Sequence, residues 1–415
     1  MRTAMIGLFV AVLVTAAWAA DAPQTVYQKG RALYDEAQAL QRENKFAEAK
    51  AKYLEVVDQY PKHELADNAL LMAAGMAVRL NDVQGALALY ERLIKEMPTS
   101  PLVLSALWEQ ASLYMNRVRD YAKAGLLYER CATEFPGYLS AEQAFWQAVL
   151  SYRNAGDHKS VLRVTERFME TKPTAGSYLL QMLPYRLEAY LALDNLKGAA
   201  DALDLMVRLA PGDRITAAYR LRLADVMRQK KDLKGALDLY LKAAECAGYE
   251  GAQRGLLSAA DVAVALDPPD VERAVTIYRT YLERYSNGDY AHDVYFRLAM
   301  LYRNVAKDRE KEIAAHREFI EKVPRSVYLD RAIWHLARAC EETKKPEEAE
   351  KAYALLLEKC PESEYVPQAL FYWAAILAAK GEHARARQLY ERVVKDYAGF
   401  SVADTAAERL AKLPR

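Results

Sequence analysis

The chain has 415 residues, with 57 Lys and Arg against 56 Asp and Glu and a hydrophobic share of 52%. So much apolar content excludes global disorder. A formal charge of +1 lacks the basic excess of a nucleic-acid binder, so no nucleic-acid partner is expected. Only 17 Gly and 15 Pro leave little room for long linkers, and the abundance of Ala and Leu favours helix.

The N-terminus reads as an address. Met1-Arg2 is a positive start, an apolar run follows from Ala4 to Ala17, and Ala17-Trp18-Ala19 offers small residues at both cleavage-defining positions. A signal peptide over 1–19 is expected, with cleavage after Ala19 and export to a bacterial periplasm. The alternative is an uncleaved membrane anchor, for which the run is short against a span of about 20 residues. No Cys near Ala20 offers a site for lipid attachment. Loss of Arg2 leaves 56 basic and 56 acidic residues in the mature chain. Beyond it no apolar stretch approaches spanning length, so no integral membrane segment is expected. Residues 20–29 form a linker and the start of the first helix.

From there an internal period governs the chain. A small-residue slot falls at Ala49, Ala86, Ala124, Val161, Ala199, Ala236, Ala274, Glu312, Ala349 and Ala386, in steps of 37 or 38 residues. Four residues on stand Tyr53, Tyr90, Tyr128, Thr165, Leu203, Tyr240, Tyr278, His316, Tyr353 and Tyr390. Twelve residues after the slot a proline recurs, at Pro61, Pro98, Pro136, Pro173, Pro211, Pro324 and Pro361. Spacings of three and four put apolar residues on one helix face, and each period holds two such stripes. In the third, Ala106, Leu107, Ala111 and Met115 precede a polar break at 116–120, and Tyr121, Ala124, Leu127, Tyr128 and Cys131 follow it. Proline ends the second stripe because it lacks the N–H that would continue the ladder. Units this small cannot bury their apolar faces alone, so they stack.

The pattern resembles the tetratricopeptide repeat over about residues 30–399. The family's marks map onto Trp108, Ser112, Tyr121, Ala124, Tyr128 and Pro136 in the third unit. The usual period is about 34 residues. The longer one here is similar to periplasmic proteins of the Tol–Pal coordinator and outer-membrane assembly type. The resemblance implies an all-α, right-handed solenoid of ten helix hairpins. Units one to six cover 30–248, units seven to ten cover 249–399, and a capping helix follows in 400–415. It further implies a non-catalytic scaffold that binds a cell-envelope protein or peptide in a groove lined by the first helices, without a cofactor. The alternative is a subunit of a polysaccharide-export or peptidoglycan-associated machine, with a glycan contact.

Carrying over the family's inward positions gives candidate partner-binding residues. They are Leu71, Gly75, Val78 and Arg79; Glu109, Leu113, Asn116 and Arg117; Gln143, Trp146, Leu150, Arg153 and Asn154; Arg228; Arg297, Leu301 and Asn304; Arg331, Trp334 and Arg338. Arg offers a planar donor fork to carboxylates, and an exposed Trp suits a binding hot spot. Some positions depart from the pattern. Glu312 and His316 replace the small and aromatic residues of the eighth unit, so a looser or re-registered pair is expected there. Pro184 is expected to kink its helix or delay its start. The glycines of 248–255 suggest a hinge. The six histidines include no pair at metal-site spacing, and no catalytic motif is present, so no enzyme is expected. Cys131, Cys246, Cys340 and Cys360 are expected to stay free, since the register parts every pair beyond disulfide reach.

Overall fold

The computed structural model describes residues 23–138, 140–171, 178–246, 248, 250–286, 288 and 290–414. The expected signal peptide, Pro173 and part of the 248–255 segment lie outside the described residues.

Contacts divide the chain into two compact units, Met1–Ala210 and Pro211–Arg415. This division falls upstream of the one at 248/249 drawn from the glycines. Each unit holds five helix hairpins among its described residues. In the first they are α1 Pro23–Arg42 with α2 Phe46–Gln59, α3 Ala66–Arg79 with α4 Val83–Glu96, α5 Val103–Leu113 with α6 Tyr121–Glu134, α7 Ala141–Ala155 with α8 His158–Glu170, and α9 Leu179–Ala192 with α10 Leu196–Leu209. In the second they are α11 Arg214–Gln229 with α12 Leu233–Ala244, α13 Ala252–Ala265 with α14 Val271–Arg284, α15 Ala291–Leu301 with α16 Arg309–Lys322, α17 Leu329–Glu342 with α18 Pro346–Lys359, and α19 Val366–Ala379 with α20 His383–Asp396. A last helix, α21 Val402–Lys412, lays Ala403 and Ala406 against the tenth hairpin. The fold is all-α, and within each unit each helix packs on the next in sequence.

The period is the packing rule of both cores. All ten small-slot residues are buried, and so are all ten residues four places on. The small side chain lets two helices approach, and the ring one turn later fills the space beyond it. In the first unit one apolar cluster runs from Tyr34 to Ala189. In the second, clusters gather around Tyr240 and Tyr278, around Tyr353 and around Tyr390. Where helix backbones come closest only glycine fits: a Cβ on Gly255 would stand 2.9 Å from the Tyr240 carbonyl.

In nine of the ten hairpins the inner turn is written in few residues. Asn44, Asn81, Arg119, Asp194, Lys231, Lys307 and Lys344 take left-handed backbone angles, as do Gly156 and Gly381. This halts the first helix. The next residue often caps the second helix: Asp82, Asp120, Asp157, Asn195, Asp232 and Asp308 each accept the N–H three residues on, at 2.8–3.1 Å.

Two of the 38-residue steps end their first helix in a π-turn, at Tyr114–Val118 and Tyr302–Ala306. One extra residue is absorbed there. Asp308 N–H reaches back six residues to the Tyr302 carbonyl, where Asp82 N–H reaches back five to Ala77. The insertion corrects two groove assignments: Leu113 and Leu301 are turned into the core and buried.

Glu312 and His316 do not loosen the eighth hairpin. Both are fully buried in the ordinary register. The Glu312 carboxylate accepts from Arg303 at 2.7 Å and Arg309 at 2.6 Å, and Arg309 also reaches Glu342 at 2.7 Å. Pro184 does not delay α9, which starts twenty residues before its small slot, as α3 and α7 do. The four cysteines are free thiols. Burial pushes Cys131 up to about 12 and Cys340 up to about 11, which keeps both protonated and unreactive at neutral pH.

Candidate functional site

The residues of the first helices that the core leaves over fall into three groups. The first is aromatic. Trp146 is half-buried, stacked on Tyr178 at 6.1 Å and tilted against Tyr185 at 5.5 Å. Trp334 repeats the arrangement with Tyr365 at 5.5 Å and Tyr372 at 5.9 Å. Phe296 does the same with Tyr328 at 5.1 Å and His335 at 6.3 Å. In each case a ring in the second turn of one first helix meets a tyrosine at the cap of the next and a ring six residues into it. Trp146 and Trp334 therefore join consecutive hairpins rather than stand free. Trp146→Ala is expected to lower stability by about 3 kcal/mol, read as a lower denaturant midpoint. An unchanged midpoint would return Trp146 to the binding candidates.

The second group is charged but already paired. Arg297 donates to Asp261 at 2.9 Å and to Asp293 at 2.6 Å. Arg338 is bonded to Glu341 and its guanidinium lies 4.1 Å from the centre of the Tyr372 ring. These two serve packing within the second unit, where Asn304 is exposed in its π-turn.

The third group is exposed and carries no carboxylate partner among the described residues. Arg79, Glu109, Asn116, Arg117, Arg153 and Asn154 belong to it, all in the first unit. Arg79 lies over the Phe46 ring at 5.9 Å and Arg153 over the Tyr185 ring at 5.2 Å. Asn116 donates to Ser112 Oγ, and Arg153 donates to Asn154 Oδ1, both at 3.3 Å. Sequence reading missed Arg42, which is exposed and stands seven residues before its small slot, as Arg79 and Arg117 do. That recurrence is visible in the sequence once the slots are aligned.

Arginines of the second helices behave differently. Arg92 pairs with Asp58 at 2.9 Å and Glu96 at 3.0 Å, and Arg130 with Glu134 at 2.7 Å. Arg163 and Arg167 close on Glu129 at 2.5 and 2.7 Å, and Tyr152 donates to the same buried carboxylate at 2.9 Å. Tyr152 is pushed up to about 12 by burial and by that acceptor. Arg92, Arg163 and Arg167 thus fix neighbouring hairpins to each other and Arg130 pairs within its own helix, while Arg79, Arg117 and Arg153 at the first-helix ends of the first unit face solvent. Among the described residues no group of three or more His, Cys, Asp or Glu is arranged to hold a metal ion, and no helix is long and apolar enough to cross a membrane.

Sequence profiles described as tetratricopeptide repeat match residues 34–101, 77–138 and 368–399. No curated protein sequence matches the chain. Among solved structures the chain is similar to that of Naa15/Naa10 bound to HypK-THB, at 15% identity and a TM-score of 0.46, covering 88% of this chain. It spans 58% of the length of that protein. It is similar to a tetratricopeptide repeat protein from Parabacteroides merdae, at 14% identity over 64% of this chain and 97% of that one, with a TM-score of 0.32. It is also similar to YrrB, described as a protein of this type with an unusual peptide-binding site, at 16% identity over 50% of this chain and 98% of that one, with a TM-score of 0.34. The profiles fall on the first three hairpins and the last, and the small and aromatic slots they share are filled and buried in every hairpin between. The chain carries tetratricopeptide repeats, and its remaining hairpins follow the same small and aromatic spacing.

Proposed function

We propose that the protein is a non-catalytic docking scaffold, exported to a bacterial periplasm by its N-terminal leader, which seats a protein or peptide partner from the cell envelope on its first-helix face. The observation that carries this is the contrast between the two sets of arginines. Arg92, Arg130, Arg163 and Arg167 on the second helices of the first unit are ion-paired within the protein, whereas Arg79, Arg117 and Arg153 stand exposed at the ends of three successive first helices. Tetratricopeptide arrays present such faces to protein partners, and the charged start, apolar run and Ala-x-Ala of the N-terminus support the export part of the reading.

Site-specific photo-crosslinking in a Gram-negative host tests the docking. A crosslinker at Asn116 or Asn154 is expected to trap one discrete protein, and one at Glu96 is expected to trap none. Trapping of a glycan instead, or equal trapping from all three positions, overturns the reading. Export is read from the same cells. The mature chain is expected in the periplasmic fraction with Ala20 at its N-terminus, and a mature chain that begins at Met1 removes the leader from the argument.

A further inference from the structure

We infer that the edge formed by the first-helix ends of the Met1–Ala210 unit binds an extended acidic peptide segment with a carboxylate at about every third residue. This deepens the docking reading and rests on it. Arg42, Arg79 and Arg117 occupy one slot in three successive hairpins, and Arg153 with Asn154 fills it in the fourth. All are exposed, and none is paired with a described carboxylate. On the same edge the next residue of three hairpins is an exposed apolar one: Leu80, Val118 and Leu193.

The acids of that edge are already engaged. Asp82, Asp120 and Asp157 cap the second helices through the backbone. Asp82 also pairs with Lys50 at 3.0 Å, Asp120 with Lys123 at 3.2 Å, and Glu43 with Lys45 at 2.8 Å. The macrodipole favours a cation at any helix C-terminus, yet it does not explain the row. The fifth hairpin of the same unit has Ala192 in the slot, and in the Pro211–Arg415 unit the slots hold Gln229, Asp267, Val305, Glu342 and Ala379, where Arg228 alone stands one residue before its slot as Arg153 does.

The ligand follows from spacing and composition. First helices of successive hairpins touch, as Trp146 does Tyr185; contacting helices pack about 8–10 Å apart, and an extended chain rises about 3.3 Å per residue. Successive arginines therefore meet every third residue of an extended segment, and about nine residues cover the row from Arg42 to Arg153. Apolar side chains between the acids match Leu80, Val118 and Leu193. A polyanionic glycan has no group for those positions, and a row of single apolar residues is too narrow to seat a lipid surface.

The test is fluorescence anisotropy of the full-length protein with a labelled peptide of four Glu-Leu-Ser repeats. Binding is expected, weakening steeply as salt is raised. The Gln-Leu-Ser peptide is expected to bind at least about tenfold more weakly, as is R79E/R117E with the acidic peptide. R79Q/R117Q, which introduces no new charge, is expected to lie between, and R273E on a second helix of the other unit to match wild type. Circular dichroism melting shows that the variants remain folded. No binding of the acidic peptide, or equal binding by R79E/R117E, overturns the inference. So does arginine-dependent binding of phosphatidylglycerol vesicles or of polygalacturonate with no peptide binding. If R79E/R117E still crosslinks the natural partner from Asn154, docking stands and the acidic-segment assignment falls. If neither protein crosslinks anything, docking itself falls.

Discussion

Ala124→Asp is expected to unfold the third hairpin and the packing that depends on it. Ala124 is fully buried where α6 meets its neighbours, with Tyr128 one turn on and the Trp108 ring edge-on to Tyr128 at 5.1 Å. A carboxylate there finds no cation, and an uncompensated buried charge costs several kcal/mol. Tyr128→Ala leaves a cavity instead, at about 3–5 kcal/mol. Repeat arrays transmit such losses to nearest neighbours, so both variants should show a lower midpoint by circular dichroism. The eighth hairpin shows what an acid in this slot requires. Glu312 is as deeply buried as Ala124 and is held by Arg303 and Arg309, nine and three residues before and within hydrogen-bond reach. The same offsets from residue 124 fall on Met115 and Tyr121. M115R/Y121R/A124E should therefore regain part of the stability that A124E loses. A124D melting like wild type would show that the repeat register is misplaced.

The sequence displays those features that recur with the period. Small and aromatic slots are single residue types at fixed spacing, so the alignment alone locates both cores, and even the exceptions Val161, Thr165 and Leu203 are buried where their slots put them. Capping was not read from the sequence, although a turn residue followed by Asp or Asn recurs with the period and has a local cause. The side chains of the first helices are less legible, since their environment depends on the next hairpin. Trp146 looks like an exposed anchor in its own helix and becomes a packed ring only when Tyr178 and Tyr185 arrive from the following repeat. Arg297 and Arg338 look like free donors until Asp261, Asp293 and Glu341 are placed around them. The π-turns are hidden for another reason. A one-residue change in period shows that an insertion exists without showing where the backbone takes it, and that location turned Leu113 and Leu301 inward.

The second large effect is expected from acid, and it is confined to the eighth and ninth hairpins. His316 is fully buried with neither ring nitrogen hydrogen-bonded, and it stacks on His335 at 5.7 Å. The charged groups around the pair are Arg303, Arg309 and Arg331, with Glu312 and Glu342. Burial first, then His335 and Arg303, holds His316 down to about 3, and burial with Arg303, Arg331 and Arg309 holds His335 at about 4. Both imidazoles are thus neutral in the folded protein, while in the unfolded chain they take up protons below about 6.5. The unfolded state then binds more protons, so stability is full above about pH 6.5 and falls as the pH drops through 6 and 5 toward the folded values. At pH 5 the buried His316 accounts for about 2 kcal/mol of loss at 1.36 kcal/mol per unit, and the less buried His335 for somewhat less. The capping aspartates Asp82, Asp120, Asp157 and Asp308, held low chiefly by the hydrogen bonds they accept, lose their contributions only below about pH 3.8, so the two windows separate. Denaturant midpoints at pH 7 and pH 5 measure the difference. Wild type should lose clearly more than H316F, in which a neutral ring fills the same slot and removes one of the two proton uptakes. Equal midpoints at the two pH values in wild type, or an H316F variant that falls as far as wild type, would show that this buried pair does not set the acid sensitivity of the array.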